Sequence, residues 1–404
     1  MNVRALQLID RWLGVPLCFV LTVVRVIFGR RPPVCFLPPR RILFVKLAEQ
    51  GSTVLASLAL RRAVEIAGRE NVYFITLDDN RFILDLLGII PEQNVITVSF
   101  KNFSEIVLGG LSAIRRLRAL KLDAAVDMEF FSRGSAALAF LSSARSRAGF
   151  HPFFGAGPYR GDLMTHRLLY NSHIHTSQTF LTLVEAVLRD PAILPALDLP
   201  PPTAMDEPEP FVPLPGEVTE VREILCREAD ANPLLILINP NASDLLPLRR
   251  WPNDRYLALA RRLVAKYPEI YVAITGAPAE AEAAAELVRQ VASDRCFSLA
   301  GKTTLRQLLV LYTLSEVLVT NDSGPAHFAT LTPVRVVTLF GPETPALFAA
   351  RTPRNTVLWA GIVCSPCVNA YNNRQSPCLN NLCMQAITVD QVFAEVCRAL
   401  EVES

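Results

Sequence analysis

The sequence has few charged residues, and this scarcity excludes several classes of protein. Only 19% of the 404 residues are Asp, Glu, Lys or Arg, whereas 51% are hydrophobic and the mean hydropathy is +0.29. Such a composition fits intrinsic disorder, collagen and a long coiled coil poorly. The length suffices for two domains of about 100 to 200 residues, each with its own core. The composition therefore indicates a packed globular protein.

The N-terminal region lacks both a secretory cleavage site and an uncharged segment of spanning length. Residues 12–24 are apolar, but Arg11 and Arg25 flank them, and thirteen residues are too few to span a bilayer. We predict that residues 1–40 form a helical segment that lies at a membrane interface, with its apolar side toward lipid and its Arg side toward anionic head groups. Packing against its own domain or a partner is the alternative.

The sequence also lacks the cysteine pattern of a disulfide-stabilised secreted domain. Nine Cys, an odd number, are dispersed through the chain, which favours a reducing compartment. Residues 1–190 contain 23 Lys and Arg against 15 Asp and Glu, whereas the remainder contains 17 against 23. The basic half fits an anionic membrane surface or acidic acceptor better than nucleic acid. We expect a cytoplasmic protein that is peripheral on the inner face of the cell membrane.

From Arg41 onward, short β-branched runs alternate with amphipathic stretches, which is typical of parallel α/β folds. Nine prolines between residues 189 and 215 indicate a connector between two such regions. We predict an interfacial segment at 1–40, Rossmann-like domains at 41–188 and 217–404, and a Pro-rich linker at 189–216. The predicted strands are ILFVKL, VYFIT, VITV, DAAVDM, LLILI, YVAIT, CFSL, EVLVT and VRVVTLF, and the predicted helices are 53–67, 81–87, 103–120, 134–143, 253–266, 279–291, 305–314 and 325–331.

The most informative motif is EVLVTNDSGPAHFATLTPVRVVTLFGPETP, residues 316–345. A strand ends at Thr320 and the following turn leads directly into a helix, with Ser323 near the cap and Pro325 at the first position. Gly324 would allow a ligand to approach the backbone, and a helix N-terminus favours phosphate. The turn at 341–344 follows the next strand and is expected to line the same site.

TNDSGPAHFAT followed by TPVRVVTLFGPETP resembles the signature of glycosyltransferase family 9, the heptosyltransferase family. The similarity extends to ILFVKLAEQGSTVLASLALRRA, DAAVDMEFFSRGSAALAFLSSARSRAGF and ILINPNASDLLPLRRWPNDRYLALARRL, and covers residues 41 to about 395. The resemblance implies an α/β GT-B fold, in which two Rossmann-like domains face a central cleft. It also implies inverting transfer of a heptose or related sugar from a nucleotide-sugar, with ADP favoured, to a lipid-linked glycan, without a metal or cofactor.

The resemblance further implies roles for individual residues. Arg249 stands where the family usually has Lys and would stabilise the departing diphosphate. Asp322 is expected at the donor sugar and Glu280 at the ribose, although Glu282 is an alternative for the latter. The remaining residues predicted to line the donor site are Ser323, Gly324, Pro325, His327 and Gly341.

The sequence departs from the family at the expected catalytic base. Relatives carry Gly-Asp after the first strand, whereas this chain has Gly51-Ser52, and a Ser hydroxyl is too weak a base at neutral pH to act unaided. We predict that Glu49, in the same loop, takes over the role; Asp127 and Glu129 are the next candidates. Loss of catalysis, which would leave a nucleotide- or glycan-binding partner subunit, is one alternative function. A UDP-sugar donor with an acceptor other than lipopolysaccharide is another.

No clear metal-binding motif is evident. Asp127-Met128-Glu129 comes closest to a DxD motif and is interpreted as a strand-end pair in the acceptor domain. The cysteines follow a C-x2-C-x10-C-x4-C spacing, for which we expect reduced thiols, with zinc as the alternative; they are Cys364, Cys367, Cys378 and Cys383. His173 and His175 flank a predicted helix start, where a structural or acceptor-binding role is expected.

Overall fold

The structure is a computed structural model that describes residues 3–28, 38–99, 102–155, 157–193, 208–229, 233–242 and 246–401. The central part of the predicted linker, residues 194–207, lies outside the described residues. The strands are β1 (Ile42–Val45), β2 (Val72–Leu77), β3 (Val95–Val98), β4 (Ala124–Asp127), β5 (Ser146–Phe150), β6 (His166–Leu168), β7 (Leu234–Asn239), β8 (Ile270–Ile274), β9 (Cys296–Ser298), β10 (Val317–Asn321), β11 (Arg335–Phe340) and β12 (Asn355–Trp359).

The helices of the first half are α1 (Val3–Trp12), α2 (Gly14–Phe28), α3 (Gln50–Leu55), α4 (Ser57–Ala67), α5 (Arg81–Leu87), α6 (Phe103–Ala119), α7 (Arg133–Leu141) and α8 (Thr176–Ala186). Those of the second half are α9 (Glu217–Leu225), α10 (Asn253–Lys266), α11 (Ala281–Val291), α12 (Leu305–Thr313), α13 (Gly324–Ala329), α14 (Pro345–Phe348), α15 (Leu382–Gln385) and α16 (Val389–Glu401).

The chain forms two compact units. One short segment, residues 369–375, belongs to a different unit from the residues that precede and follow it. The first unit contains residues 1–204 together with 369–375, and the second contains 205–368 with 376–404. The sequence did not indicate that residues 369–375 return to the first unit. The acceptor and donor roles given to the two domains stay predictions.

Each unit is built on one six-stranded parallel sheet with the same strand order. The order is β3-β2-β1-β4-β5-β6 in the first unit and β9-β8-β7-β10-β11-β12 in the second. This is the doubly wound Rossmann order, in which ligands bind beyond the carboxyl ends of the strands at the point where the order reverses. The predicted α/β class is confirmed, and the switch points lie between β1 and β4 and between β7 and β10.

Both faces of the first sheet are covered, because its strands carry apolar residues at consecutive positions. Ile42 and Phe44 of β1 face a core completed by α4 and α8, whereas Leu43 and Val45 face a second core that includes α6 and α7. In the second unit one core joins alternate residues of β7, β8, β10 and β11 to α10, α11 and α16. The packed cores therefore fix the ends of the strands, and with them the first residues of the loops that follow.

The N-terminal helices are longer than predicted from the uncharged stretch. Leu13 N–H donates to Ile9 O and Leu17 N–H to Leu13 O, so α1 and α2 are almost continuous. Residues 8–28 form a helical segment of 21 residues that is long and apolar enough, by length and composition alone, to cross a membrane. The expectation that the segment is too short was therefore wrong on length, because the helix does not end at Arg11 or Arg25.

One stripe of α2 packs against the first unit. Gly14, Cys18 and Leu21 are buried, and a Cβ at Gly14 would lie only 2.7 Å from Arg133 Cβ of α7. Asp10 pairs with Arg133 at 2.9 Å. The opposite side exposes large apolar side chains, including Phe19, Val20, Ile27 and Phe28.

Candidate functional site

The switch point of the second sheet is organised around Asn321, the last residue of β10. Its Oδ1 accepts hydrogen bonds from Trp251 N–H at 3.1 Å and Tyr256 O–H at 2.9 Å, and its Nδ2 donates to the carbonyls of Pro240 and Asn241. The side chain is fully buried. Asn321 thus fixes the loops after β7 and β10, and with them the residues on either side.

Arg249 lies beside two buried carboxyl groups at this switch point. Its Nη1 is 3.7 Å from Asp322 Oδ2 and 3.8 Å from Glu343 Oε2. Arg250, the adjacent guanidinium, instead donates to Ala242 O at 2.9 Å. Within the described residues the two arginines of LRRW thus contact different groups, and Arg249 is the one that lies beside the predicted donor-site acid Asp322.

The carboxyl and imidazole groups here are strongly affected by burial. Burial and the neighbouring Asp322 carboxylate raise the pKa of Glu343 well above its usual range, although Arg249 opposes this. Burial also lowers the pKa of His327. Asp322 Oδ2 and His327 Nδ1 are buried without a hydrogen-bond partner. The cluster thus combines one guanidinium, two carboxyl groups and a neutral imidazole, whose Nδ1 is available to a ligand.

The turn after β10 matches the predicted position of the helix start but not its bonding. Ser323 is the residue before α13, yet its Oγ donates to Asn321 O at 3.2 Å and does not cap the helix. The helix begins at Gly324, so Pro325 is its second residue and not its first. A Cβ at Gly324 would lie 3.3 Å from Phe328 Cζ, so packing on that ring also favours glycine.

Gly341 and Glu280 have local structural partners. A Cβ at Gly341 would lie 2.7 Å from Met384 Cγ, so any larger residue there would require the buried Met384 side chain to shift. Glu280 Oε2 accepts from Ala277 N–H at 2.7 Å, as in a capping arrangement before α11. Glu282 is exposed on the first turn of that helix. The donor-binding roles of Gly341 and Glu280 stay predictions.

At the switch point of the first sheet, Glu49 and Ser52 are in contact. Ser52 is buried and its Oγ donates to Glu49 O at 2.9 Å and to Glu49 Oε2 at 3.3 Å. Glu49 itself has φ +69°, a left-handed conformation that is costly for a non-glycine residue and is often found at functional sites. It also forms an ion pair with Arg374, which comes from the returning segment 369–375.

The two other candidate bases differ in accessibility. Asp127 is completely buried and paired with Arg160, and it accepts from Ser135 Oγ at 3.1 Å. Burial raises its pKa to about 6 although Arg160 lowers it. Glu129 Oε1 accepts from the N–H groups of Leu47 and Ala48 at 2.7 and 2.9 Å. Asp127 is therefore a structural ion-pair residue, whereas Glu129 supports the loop that carries Glu49.

The four C-terminal cysteines are near enough to one another that Cys364, Cys367 and Cys378 affect the pKa of Cys383, which burial raises to about 11. All are free thiols. Within the described ranges no group of three or more His, Cys, Asp or Glu side chains is arranged to hold a metal ion. Of the two histidines before α8, His175 caps the helix by accepting from Ser177 N–H at 3.3 Å, which is a structural role.

The structure thus brings together Arg249, Asp322 and His327 in the second unit, and Glu49 and Ser52 in the first. It adds Asn321, Glu343 and Arg374, which the sequence analysis did not select. Asn321 and Glu343 lie within motifs already singled out, so a search for buried polar residues at strand ends would have included both. Arg374 is 325 residues from Glu49 in the chain, and no local pattern indicated their contact.

The amino-acid sequence matches the family model of glycosyltransferase family 9 (heptosyltransferase) over residues 111–376. The chain belongs to glycosyltransferase family 9. The lipopolysaccharide heptosyltransferase 2 of Salmonella typhimurium is 29% identical over 207 residues, which are 48% of this chain and 56% of that protein. The chain thus matches little more than half the length of this relative. The predicted family is confirmed.

Solved structures of family members share the fold. The Escherichia coli ADP-heptose lipopolysaccharide heptosyltransferase II is similar with a TM-score of 0.66 at 21% identity, covering 89% of this chain and 98% of that one. The E. coli heptosyltransferase WaaC, solved with ADP, gives 0.63 at 16% identity, with 89% and 99% covered. The predicted GT-B class, with two Rossmann-like units, is confirmed.

Proposed function

We propose that this family 9 protein transfers a heptose or related sugar from a nucleotide-diphosphate donor to a lipid-linked glycan of the lipopolysaccharide core. Membership of the family supports the reaction type. The names of similar proteins, an ADP-heptose heptosyltransferase and a heptosyltransferase solved with ADP, favour ADP over UDP as the nucleotide. The observation that carries the proposal is the placement of Arg249 beside Asp322 at the switch point of the second sheet.

We propose that Arg249 stabilises the leaving diphosphate without a metal ion. As the bond between the anomeric carbon and the diphosphate breaks, negative charge develops on the diphosphate oxygen, and a guanidinium can bind it with two N–H groups. In this proposal Asp322 holds the donor sugar or orients Arg249, from which it lies 3.7 Å. His327 Nδ1, which is buried without a hydrogen-bond partner in the described structure, supports a ligand in this position.

On the acceptor side, we propose Glu49 as the general base. Its carboxylate would take the proton of the acceptor hydroxyl while that oxygen attacks the anomeric carbon, and this single displacement inverts the configuration. Ser52, at the family's Asp position, donates a hydrogen bond to Glu49, so it supports the base and does not replace it. The strained backbone of Glu49 is consistent with a functional position.

We propose that the N-terminal helices lie along the membrane interface at the cytoplasmic face. Ion pairs hold both N-terminal helices to the rest of the first unit: Asp10 of α1 pairs with Arg133, and Arg25 of α2 pairs with Asp162. If residues 8–28 crossed the bilayer, these ion pairs would have to enter the hydrocarbon core, which is energetically costly. The exposed apolar side would insert shallowly, in keeping with interfacial amphipathic helices.

The proposed reaction is tested by incubating the purified full chain with ADP-heptose and a heptose-deficient lipopolysaccharide core, with and without EDTA. We expect a product heavier by one heptose, with inverted anomeric configuration and equal yield in EDTA. Transfer from UDP-sugars only would support the alternative donor. Nucleotide binding without transfer from any donor would support the silent partner subunit, which the loss of the family Asp at Ser52 favours.

The assignment of the base predicts a specific pattern of variants. Glu49→Gln should lower kcat by about 10² to 10⁴, the usual contribution of a general base, while nucleotide affinity stays nearly unchanged. Ser52→Ala should cost much less, because it removes the hydroxyl contacts to Glu49 O and Oε2 but leaves the carboxylate itself in place. Ser52→Asp in the Glu49→Gln background should restore part of the turnover by returning a carboxylate to the family position. Full activity of Glu49→Gln would exclude Glu49 as the base.

A further inference from the structure

The segment 369–375 is firmly attached to the first unit. Ala370 is buried in the core formed by β1, α4 and α8. The Tyr371 ring lies 5.3 Å from the Tyr170 ring and 5.7 Å from the Phe131 ring, and its hydroxyl donates to Tyr170 O. These contacts fix the position of the segment independently of its charged residue.

Residues 369–374 form a tight turn that determines where Arg374 lies. Asn369 and Asn372 exchange hydrogen bonds, each N–H donating to the other Oδ1 at 3.1 Å, and Arg374 N–H donates to Asn369 O at 3.0 Å. Asn373 and Arg374 both have φ near +54°, with values of 53° and 54°. Left-handed backbone at a non-glycine residue persists only where surrounding contacts enforce it, so this turn is a specified structure.

At the end of this turn, the Arg374 guanidinium contacts the Glu49 carboxylate through Nη1 and Oε1. Both side chains are about one quarter exposed, with values of 24% and 23%, so the pair is partly shielded from water and open on one side. Ser52 donates to the other carboxylate oxygen. Each oxygen of Glu49 therefore has its own partner, which fixes the carboxylate plane.

The remaining charged groups around this pair are compensated separately. Buried Lys46 lies 3.8 Å from Glu129 Oε1, and burial lowers the pKa of Lys46 with Arg374 adding to the effect. Asp127 is neutralised by Arg160. Among the described residues near Glu49, Arg374 is the cation that contacts it directly.

We propose that Arg374 is a positioning residue that holds the Glu49 carboxylate in the orientation needed to accept the proton of the acceptor hydroxyl. The inference rests on the proposed function of Glu49. It explains how a carboxylate three positions from the family's Asp can serve the same chemistry: a returning segment, remote in sequence, supplies the second contact that a longer and more mobile side chain requires.

The pH profile distinguishes this role from a merely structural one. An adjacent guanidinium typically lowers the pKa of a carboxyl group by about 1 to 3 units, so its removal should move the acidic limb of kcat/KM to higher pH by about one unit or more. Arg374→Gln should therefore lower kcat, most at acidic pH, with little change in the KM for ADP-heptose. Arg374→Lys should restore most of the profile, because it keeps the charge.

The test compares wild type, Arg374→Gln, Arg374→Lys and Glu49→Gln with ADP-heptose and the heptose-deficient core between pH 3 and 9, since the ordinary pKa of a Glu carboxyl group is about 4.3. Arg69→Gln, which removes an exposed ion-paired arginine, is the control and should behave as wild type. An unmoved acidic limb in Arg374→Gln, or a rise in the acceptor KM at unchanged kcat, would overturn the inference while leaving Glu49 as the base. Full activity of Glu49→Gln would instead refute the base itself.

A double-mutant cycle on the melting temperature provides a readout that does not need turnover. If the pair forms as described, Arg374→Gln and Glu49→Gln should interact, so that the double variant loses less stability than the sum of the two. Strict additivity would overturn the proposed contact. This result stands even if no donor supports transfer, in which case the proposed function fails separately.

Discussion

At the scale of single residues, burial disfavours two ionised carboxyl groups beside the one guanidinium of Arg249. Asp322 and Glu343 both lie within 4 Å of one guanidinium, at 3.7 and 3.8 Å. Two ionised carboxylates beside one Arg would leave a net negative charge where a diphosphate is proposed to bind. The raised pKa of Glu343 resolves this conflict, because its protonated form leaves Arg249 balanced by Asp322 alone.

Glu343→Gln should therefore flatten the dependence of stability on pH. Above the usual pKa of a carboxyl group, the unfolded chain has lost the Glu343 proton while the folded chain keeps it. Unfolding releases a proton in this window, so the free energy of unfolding of the wild type falls as pH rises toward the raised pKa. The amide cannot titrate and should remove this contribution. The measurement is chemical denaturation between pH 5 and 8.

Glu282→Gln is the matched control, since it removes an exposed carboxylate from the same unit. Its free energy of unfolding should follow the wild-type pH dependence. Equal slopes for wild type, Glu343→Gln and Glu282→Gln would show that Glu343 is ionised in the folded protein. The interpretation of the cluster would then have to change, with Glu343 as a second anion that constrains Arg249.

The site residues that were predicted from the sequence lie in local motifs, whereas those that were missed depend on contacts between distant parts of the chain. Arg249 and Asp322 belong to motifs with recognisable spacing, and the structure places them 3.7 Å apart. Glu343 becomes significant only because β11 lies beside β10, which brings the two strand-end turns together. Arg374 depends on a chain reversal that a sequence pattern does not encode. Long-range contacts, and not local propensity, thus define the unpredicted part of the site.

At the scale of secondary-structure elements, hydrophobic periodicity predicted the central strands of both sheets and many of the helices, but not α8, α16, β5, β6 or β12. The helix predicted at 253–266 is α10 (Asn253–Lys266), and the predicted runs ILFVKL and VITV contain β1 and β3. The predicted helix at 53–67 is instead two helices, because the chain turns at Ala56. Strand β6 has only three residues, one of them exposed, which is too short to give a periodic signal.

The contrast between the packed side and the exposed apolar side of α2 leads to a prediction about membrane binding. Phe19 and Ile27 are about two thirds exposed, at 61% and 64%, whereas Cys18 and Leu21 pack against the first unit. Phe19→Asn combined with Ile27→Asn should abolish co-sedimentation with vesicles containing phosphatidylglycerol and leave the melting temperature nearly unchanged. Added salt should partly release the wild type, because its electrostatic attraction is screened.

Leu214→Asn is the control for this experiment, because it removes an exposed apolar side chain from the second unit. It should bind vesicles as the wild type does. If the α2 double variant also binds equally well, the exposed side of the helix does not contact lipid. The N-terminal segment would then be a packing element of the first unit alone.

At the scale of the whole molecule, the two units have the same strand order and a polar cluster at each switch point, but the clusters differ in composition. The first holds Glu49, Ser52 and Arg374, which suit proton transfer, whereas the second holds Arg249, Asp322 and Glu343, which suit a phosphorylated ligand. A repeated fold thus supports two different chemistries, because parallel sheets leave their loop residues free to vary.

This division predicts that a nucleotide stabilises one unit selectively. A ligand that binds only the folded state raises the free energy of unfolding by about 2.7 kcal/mol at 100 times its Kd. Since two units of this size need not unfold together, ADP should shift only the transition of the second unit. Arg249→Gln should lose most of that shift, because it removes the charge proposed to bind the diphosphate.

Arg250→Gln is the matched control, since the neighbouring guanidinium is already engaged with Ala242 O and should contribute little to ADP binding. Its own stability can fall, but the ADP-dependent increase should equal that of the wild type at matched saturation. Differential scanning calorimetry with ADP and UDP in parallel measures both transitions at once. A larger shift with UDP would reassign the donor nucleotide. An undiminished ADP shift in Arg249→Gln, with its loss in Arg250→Gln, would reverse the roles assigned to the two arginines.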